Sequence, residues 1–113
     1  EIASSSLESQ NISVEIIDPR TLVPLDFETI AHSVKKTGRL VIAHEAVKVG
    51  GFGGEIAARF SESEISKYLK YPIVRVGNKG VPVPYNSELS KYVVPNAKDV
   101  ELAVKTTMGI KVK

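Results

Sequence analysis

An unbroken apolar run, LVIA at positions 40–43, constrains the fold most. A strand with one wet face alternates polar and apolar residues, whereas a parallel strand that is covered on both faces is continuously apolar. We therefore predict a buried parallel strand with helices on both sides of its sheet. Two further short strands are predicted, one at PIVRV (72–76) and one at SVEIIDPR (13–20).

The clearest predicted helix lies in PLDFETIAHSVKKTGR, residues 24–39. Asp26 is a good N-cap because its carboxylate can accept from the free amides of the first turn. Gly38 supplies the left-handed residue that ends such a helix. The apolar stripe of this helix comprises Phe27, Ile30, Ala31 and Val34.

Two more helices follow, so strands and helices alternate along the chain. One begins at Ile56 after a glycine-rich loop, and polar residues 61–64 interrupt its apolar face. The last is capped by Asn96, with Asp99 as the capping-box partner. Between them, a proline-rich stretch at 77–95 predicts an irregular loop with one short helical turn near Ser87. This order predicts an α/β sandwich with a mainly parallel sheet.

The composition excludes some classes of function but indicates none. The 113 residues predict one domain, and the formal charge of +2 comes from scattered basic residues, which favours neither nucleic acid nor a membrane surface as a partner. There is no cysteine, so disulfides and thiolate chemistry are excluded. No apolar run approaches the roughly 20 residues of a membrane span.

The loop in HEAVKVGGFGGEIAARF (44–60) raises the question of phosphate binding. A dinucleotide fingerprint needs G-x-G-x-x-G/A directly after the strand, but the sixth position from Gly51 is Ile56. Glu55 would also place a negative charge where an anion would bind. We interpret the loop as a structural turn, in which Phe52 is either tucked beneath the glycines or offered to a partner.

Neither histidine forms a recognisable catalytic or metal motif. His44 and Glu45 begin like H-E-x-x-H, but Lys48 takes the last position. Strand alternation should direct His44 and Glu45 to opposite faces, so a hydrogen bond from His44 to loop backbone is favoured over a dyad. His32 should lie on the polar side of its helix. The residues predict no complete catalytic, cofactor or metal site.

Three segments together carry a resemblance: VEIIDPRTLVPLD (14–26), GRLVIAHEAVKVGGFGGEIAARF (38–60) and PIVRVGNKGVPVPYNSELSKYVVPN (72–96). They resemble the C-terminal domain of the β subunit of thiamine-diphosphate-dependent 2-oxo acid dehydrogenases, of pyruvate, acetoin or branched-chain type. More distantly, the chain is similar to the last domain of transketolase. The resemblance implies a three-layer α/β/α sandwich around a five-stranded mixed sheet. It covers residues 12–108, which leaves 1–11 as the remnant of a preceding helix and 109–113 as a tail within one domain, 1–113.

The resemblance also implies a place in a multienzyme complex. The intact enzyme would decarboxylate a 2-oxo acid and transfer the acyl group to a lipoyl group on an acyltransferase. Thiamine diphosphate and magnesium would be held by other domains, and this segment would itself be inactive. Its implied partners are the α subunit and a second β subunit, in a heterotetramer, and the acyltransferase's subunit-binding domain. The expected location is the cytoplasm, or the mitochondrial matrix in a eukaryote.

Residues for these contacts are predicted from residue type alone: Phe52, His44, Glu45, Tyr85 and Tyr92. The family pattern has two strands and most of a helix ahead of VEIID, so we expect an N-terminally truncated domain. A sheet without its central strand would have unpaired backbone groups, which predicts self-association or a rearranged strand order. A stand-alone interaction module and an anion-binding module that uses the amides of Gly53 and Gly54 remain alternatives.

Overall fold

The structure is a computed structural model that describes residues 2–110. Glu1 and residues 111–113, the latter part of the predicted tail, lie outside the described residues. The helices and strands, in chain order, are α1 (Ile2–Glu8), α2 (Phe27–Thr37), β1 (Val41–Val47), α3 (Phe52–Ser61), a 3₁₀ turn (Glu64–Tyr68), β2 (Val74–Asn78), α4 (Ser87–Val93) and α5 (Ala97–Thr107). Strands and helices alternate from α2 to β2, as the sequence pattern predicts.

The sheet described within residues 2–110 has two parallel strands, β1 and β2, which lie side by side. Val41 pairs with Val74, and Ala43 pairs with Val76. The next paired residues are Val47 and Asn78. Between these two pairs β1 has more residues than β2. This bulge bends the carboxyl end of β1 and changes the direction of its side chains.

Helices lie on both faces of the sheet, as the three-layer arrangement requires, but within residues 2–110 the sheet has two strands and not the five that the resemblance implies. The α2/α3 face holds the main core, in which Phe60 is fully buried and its ring lies 4.5 Å from that of Phe27. The core is formed by Leu25, Ile30, Ala31, Val34, Ile42, Ile56 and Phe60. On the opposite face α5 packs against both strands, and α1 packs against α5.

Helix α2 confirms the local signals in its sequence. The carboxylate of Asp26 accepts hydrogen bonds from the Thr29 amide at 3.1 Å and from its hydroxyl at 2.6 Å. Gly38 has φ 73°, the left-handed conformation of a C-terminal glycine, and its amide donates to the Val34 carbonyl. Asn96 and Asp99 likewise form the predicted capping box of α5.

The strand predicted within residues 13–20 is wrong. Residues 13–17 are not part of any strand, and within the described chain their backbone groups form no hydrogen bond. A groove of about 740 Å³ separates this segment from β1 and is lined by Val14, Ile17, Val41 and side chains of α1 and α5. A β-strand needs a neighbouring strand to accept and donate its backbone hydrogen bonds, and no strand lies close enough to residues 13–17 to do so.

Three boundaries also differ from the prediction. Helix α3 begins at Phe52 rather than at Ile56, so two of the loop glycines are helical. Strand β1 continues to Val47, and β2 begins at Val74, which leaves Pro72 outside the strand. Propensity disfavours glycine in helices by about 1 kcal/mol, and tertiary contacts override that preference at α3.

We expect Asp26→Ala to lower the midpoint of chemical denaturation at neutral pH, because the first turn of α2 loses its acceptor. The hydrogen bonds from Thr29 lower the pKa of the Asp26 carboxyl below its ordinary value of 3.8. Its stabilising contribution is therefore present above about pH 4 and is lost as the pH falls through the lower folded-state pKa. Denaturant titrations of both proteins should differ at pH 7 and converge under strong acid. A difference that persists in strong acid would contradict the role of the carboxylate.

Candidate functional site: the His44 loop

The imidazole of His44 joins the end of β1 to the beginning of α3. Its Nε2 accepts a hydrogen bond from the Gly53 amide at 3.2 Å, and its Nδ1 lies 3.0 Å from the Ala46 carbonyl oxygen. An amide can only donate and a carbonyl can only accept, so the partners assign the tautomer. The geometry fits a neutral ring with its proton on Nδ1, and the predicted hydrogen bond to loop backbone is confirmed.

Three glycines surround this ring and leave it the space that it occupies. A Cβ atom on Gly53 would lie 2.5 Å from Nε2 and 2.8 Å from Cδ2 of His44. Gly51 and Gly77 approach the ring from either side, each with its Cβ position 3.1 Å from Cε1. The imidazole is the nearest neighbour at Gly53, whereas the Cβ positions of Gly51 and Gly77 lie nearest the carbonyl oxygens of Val47 and Ala46 and then the ring.

The imidazole also replaces the missing N-cap of α3. Gly51 is the N-cap residue and has no side chain to accept from the first turn. His44, from a different element, accepts from Gly53 at the second helical position, where an N-cap side chain normally accepts. Glu55 supplies the expected negative charge in the same turn. An anion at this helix end would have to displace His44 and approach Glu55.

The five predicted interface residues do not form one cluster. His44 and Phe52 line the same apolar cavity of about 270 Å³ between β1 and α3, and Phe52 packs half-buried against the main core. Glu45 is exposed. Tyr85 and Tyr92 belong to a separate arm, residues 79–95, on which Tyr85 is fully exposed and Tyr92 is 72% exposed.

Neither histidine forms a hydrogen bond with another side chain in the described residues. Both ring nitrogens of His44 are engaged by backbone groups, and His32 is exposed on α2. Within residues 2–110 no three histidine or carboxylate side chains converge as metal ligands would. None of the helices described in this range is long and apolar enough to cross a membrane. The two hydrogen bonds of His44 link the end of β1 to the start of α3.

The motif analysis did not anticipate the roles of Gly77 and Arg75. Gly77 lies in β2, where its Cβ position is 3.0 Å from the Ala46 carbonyl that His44 also contacts. Arg75 donates from Nη1 to the Lys48 carbonyl at 3.0 Å and so ties β2 to the segment after β1. A glycine after an apolar run was the available signal, but only strand pairing shows which residue approaches it.

We expect Gly53→Ala and Gly54→Ala to have opposite effects on the free energy of unfolding. Gly53→Ala should destabilise the chain by about 1 to 3 kcal/mol, because its methyl group would overlap the His44 ring. Gly54→Ala should be neutral or stabilise by up to about 1 kcal/mol, since its methyl group would meet only Nη1 at the far end of the long Arg75 side chain, at 3.2 Å. Urea denaturation of both variants measures the difference. Equal effects would contradict close packing of the ring.

Comparisons with known proteins agree with the layered fold. The family described as the C-terminal domain of transketolase matches residues 2–100. The β subunit of the pyruvate dehydrogenase E1 component from Rhizobium meliloti is 46% identical over 103 residues, which cover 91% of this chain and 22% of that protein. The Rickettsia bellii β subunit is 46% identical over 96% of this chain and 33% of its own length.

A mitochondrial β subunit from Caenorhabditis elegans is 40% identical over 108 residues, 96% of this chain and 31% of that protein. The chain therefore spans between a fifth and a third of the length of these relatives. Because the family match extends over most of the described residues, the chain belongs to the transketolase C-terminal domain family, in the form that is similar to pyruvate dehydrogenase E1 β subunits.

Proposed function

We propose that this chain serves as the C-terminal assembly domain of an E1 β subunit in a 2-oxo acid dehydrogenase complex. The observation that carries the proposal is the 46% identity to E1 β subunits over more than nine-tenths of this chain. The intact enzyme would decarboxylate a 2-oxo acid and pass the acyl group to a lipoyl-bearing acyltransferase. Pyruvate is favoured by the names of the relatives, and branched-chain and acetoin-type substrates are the alternatives.

Thiamine diphosphate and magnesium would belong to other parts of that enzyme, because the residues described here do not fit them. Within residues 2–110 no three histidine or carboxylate side chains converge, so the described residues offer a magnesium ion no cluster of protein ligands. The glycine-rich turn resembles a phosphate loop, but the Gly53 amide already donates to His44. Glu55 in the same turn would repel a diphosphate. We therefore propose that the chain alone has no decarboxylase activity.

The proposed contact surface is the arm formed by residues 79–95. Its apolar side chains are largely solvent-exposed: Tyr85 is fully exposed and Tyr92 is 72% exposed. Val81, Val83 and Leu89 on the same arm are about half exposed. Exposed aromatic side chains of this kind are typical anchors of protein interfaces. Phe52, His44 and Glu45 are secondary candidates, since Phe52 and His44 are partly engaged by the domain's own packing.

The proposed partners are an E1 α subunit, a second β subunit and the subunit-binding domain of the acyltransferase. These partners place the chain in the bacterial cytoplasm, or in the mitochondrial matrix if its source is a eukaryote. The name of the worm relative contains the word mitochondrial, which supports the second location for proteins of that origin.

Co-purification with the α subunit and with the acyltransferase's subunit-binding domain from the same source tests this function. We expect the chain to capture at least one of them, and Tyr85→Ser with Tyr92→Ser to weaken capture at least about tenfold. Tyr71→Ser is the matched control, because Tyr71 lies outside the arm and is also partly exposed. Calorimetric titration of the chain alone with thiamine diphosphate should show no binding.

Other outcomes would favour the alternatives. Capture of neither partner would favour a stand-alone interaction module. Phosphate-dependent shifts in the amide resonances of residues 51–55 would favour an anion-binding module.

We also propose that the isolated chain self-associates through its open sheet edge. The edge of β1 opposite β2 faces the groove beside residues 13–17, whose backbone groups are unpaired within the described chain. Ile16 on that segment is 61% exposed. An extended strand edge with apolar neighbours is a template for pairing with another copy.

Sedimentation velocity over an approximately hundredfold range of concentration tests self-association, because a dimer forms by mass action. We expect the average mass to rise with concentration, and Ile16→Lys to reduce the rise by placing a charge at the edge. His32→Lys, on an exposed face of α2, is the control for added charge. A monomer at every concentration would rule out self-association and leave the proposed role in E1 assembly intact.

A further inference from the structure

Of the two histidines, His44 is held by backbone groups at both ring nitrogens, whereas His32 is exposed on α2. We propose that His44 is a proton-sensitive cap, which holds the N-terminus of α3 against the end of β1 and releases it when the imidazole is protonated. The proposal rests on the geometry of the His44 loop and does not depend on the proposed role in E1 assembly.

The first step of the argument is the hydrogen-bond chemistry of Nε2. In the neutral ring its lone pair accepts from the Gly53 amide at 3.2 Å, while Nδ1–H donates to Ala46. A protonated imidazole has a donor on each nitrogen and no acceptor. The added proton would lie directly between Nε2 and the Gly53 N–H, so this hydrogen bond has to break.

The second step is the environment of the added charge. The N-terminus of α3 carries the positive end of the helix dipole and has no other side-chain cap. A cation at this position is therefore repelled by the helix that the neutral ring stabilises. The ring also has little room to turn toward another acceptor, because Gly51, Gly53 and Gly77 pack closely around it.

The charged groups nearby do not supply a compensating partner. On the segment before α2, Glu15 lines the same cavity as His44, but its carboxylate lies 3.3 Å from the Lys36 ammonium. On β2, Arg75 adds a positive charge beside Gly54.

The remaining charges lie at exposed positions. They are Glu55 on α3, Glu45 on β1 and Lys48 just after β1. None of these residues forms a hydrogen bond with the ring in the described structure, and the two bonds to Gly53 and Ala46 account for both nitrogens.

The consequence of protonation is local opening at the α3 end of the domain. The first turn of α3 includes Phe52, which is half-buried against the core and shares the apolar cavity with His44. Loss of the cap would free this turn and expose Phe52. The device therefore couples imidazole protonation to the exposure of an aromatic side chain.

Denaturant titrations at about pH 8 and about pH 5, on either side of ordinary imidazole titration, test the proposal. In the unmodified chain and in His32→Gln, the unfolding equilibrium constant should rise by about two- to tenfold more on acidification than in His44→Gln, which reflects loss of one hydrogen bond. His32→Gln is the matched control because it removes the other imidazole, which is exposed. Equal acid sensitivity in all three proteins would overturn the proposal.

Nuclear magnetic resonance on the unmodified chain gives a readout that does not depend on the variants. Nitrogen shifts should show the proton on Nδ1 at about pH 8, and the Gly53 amide should lose protection on acidification, after correction for intrinsic exchange. A proton on Nε2 at neutral pH, or unchanged protection of Gly53, would overturn the proposal even if His44→Gln does not fold.

Discussion

The parallel pairing of β1 with β2 is the constraint on which the described structure depends. Parallel strands cannot be joined by a tight turn, so the chain between them must cross one face of the sheet. Helix α3 and the 3₁₀ turn form that crossover, and they bury Ile56 and Phe60 against Ile42 and α2. Helix α5 covers the other face. The register of the same ladder shifts between Ala43 and Val47, next to His44.

Side-chain alternation along β1 puts His44 on the same face as Ile42, which packs against α3, so a glycine-rich turn after a strand holds an imidazole here. The Gly53 amide, which could have faced a phosphate, donates to His44, and the surrounding glycines accommodate the ring. The amides of a helix N-terminus need an acceptor, and a side chain from the neighbouring strand meets that need as well as a ligand would. The domain thus uses a motif that resembles a ligand site for packing between β1 and α3. The exposed apolar arm, residues 79–95, is a separate surface.

The sequence predictions were accurate for features that depend on neighbouring residues and were wrong for features that depend on distant ones. Asp26, Gly38 and the Asn96–Asp99 pair were placed correctly, because a cap acts on amides and carbonyls within a few residues of itself. The parallel strand in LVIA was also found, but it runs from Val41 to Val47 and only Ile42 is fully buried, so the predicted burial on both faces was wrong. The prediction of a strand within residues 13–20 was wrong, because a segment with high β propensity forms a strand only when a neighbouring strand supplies hydrogen-bond partners. The predicted start of α3 was wrong, because the hydrogen bond to His44 outweighs the low helix propensity of two glycines.

The sequence by itself determined the alternation of helices and strands, the caps of α2 and α5, the family and the absence of cysteine chemistry. These are properties of composition, periodicity and short-range hydrogen bonding. Only the tertiary structure decided the strand order, the unpaired state of residues 13–17 and the neutral tautomer of His44. Each of these depends on groups that are distant in sequence, such as Gly77 beside His44, and a hydrogen-bond partner exists only once packing has placed it.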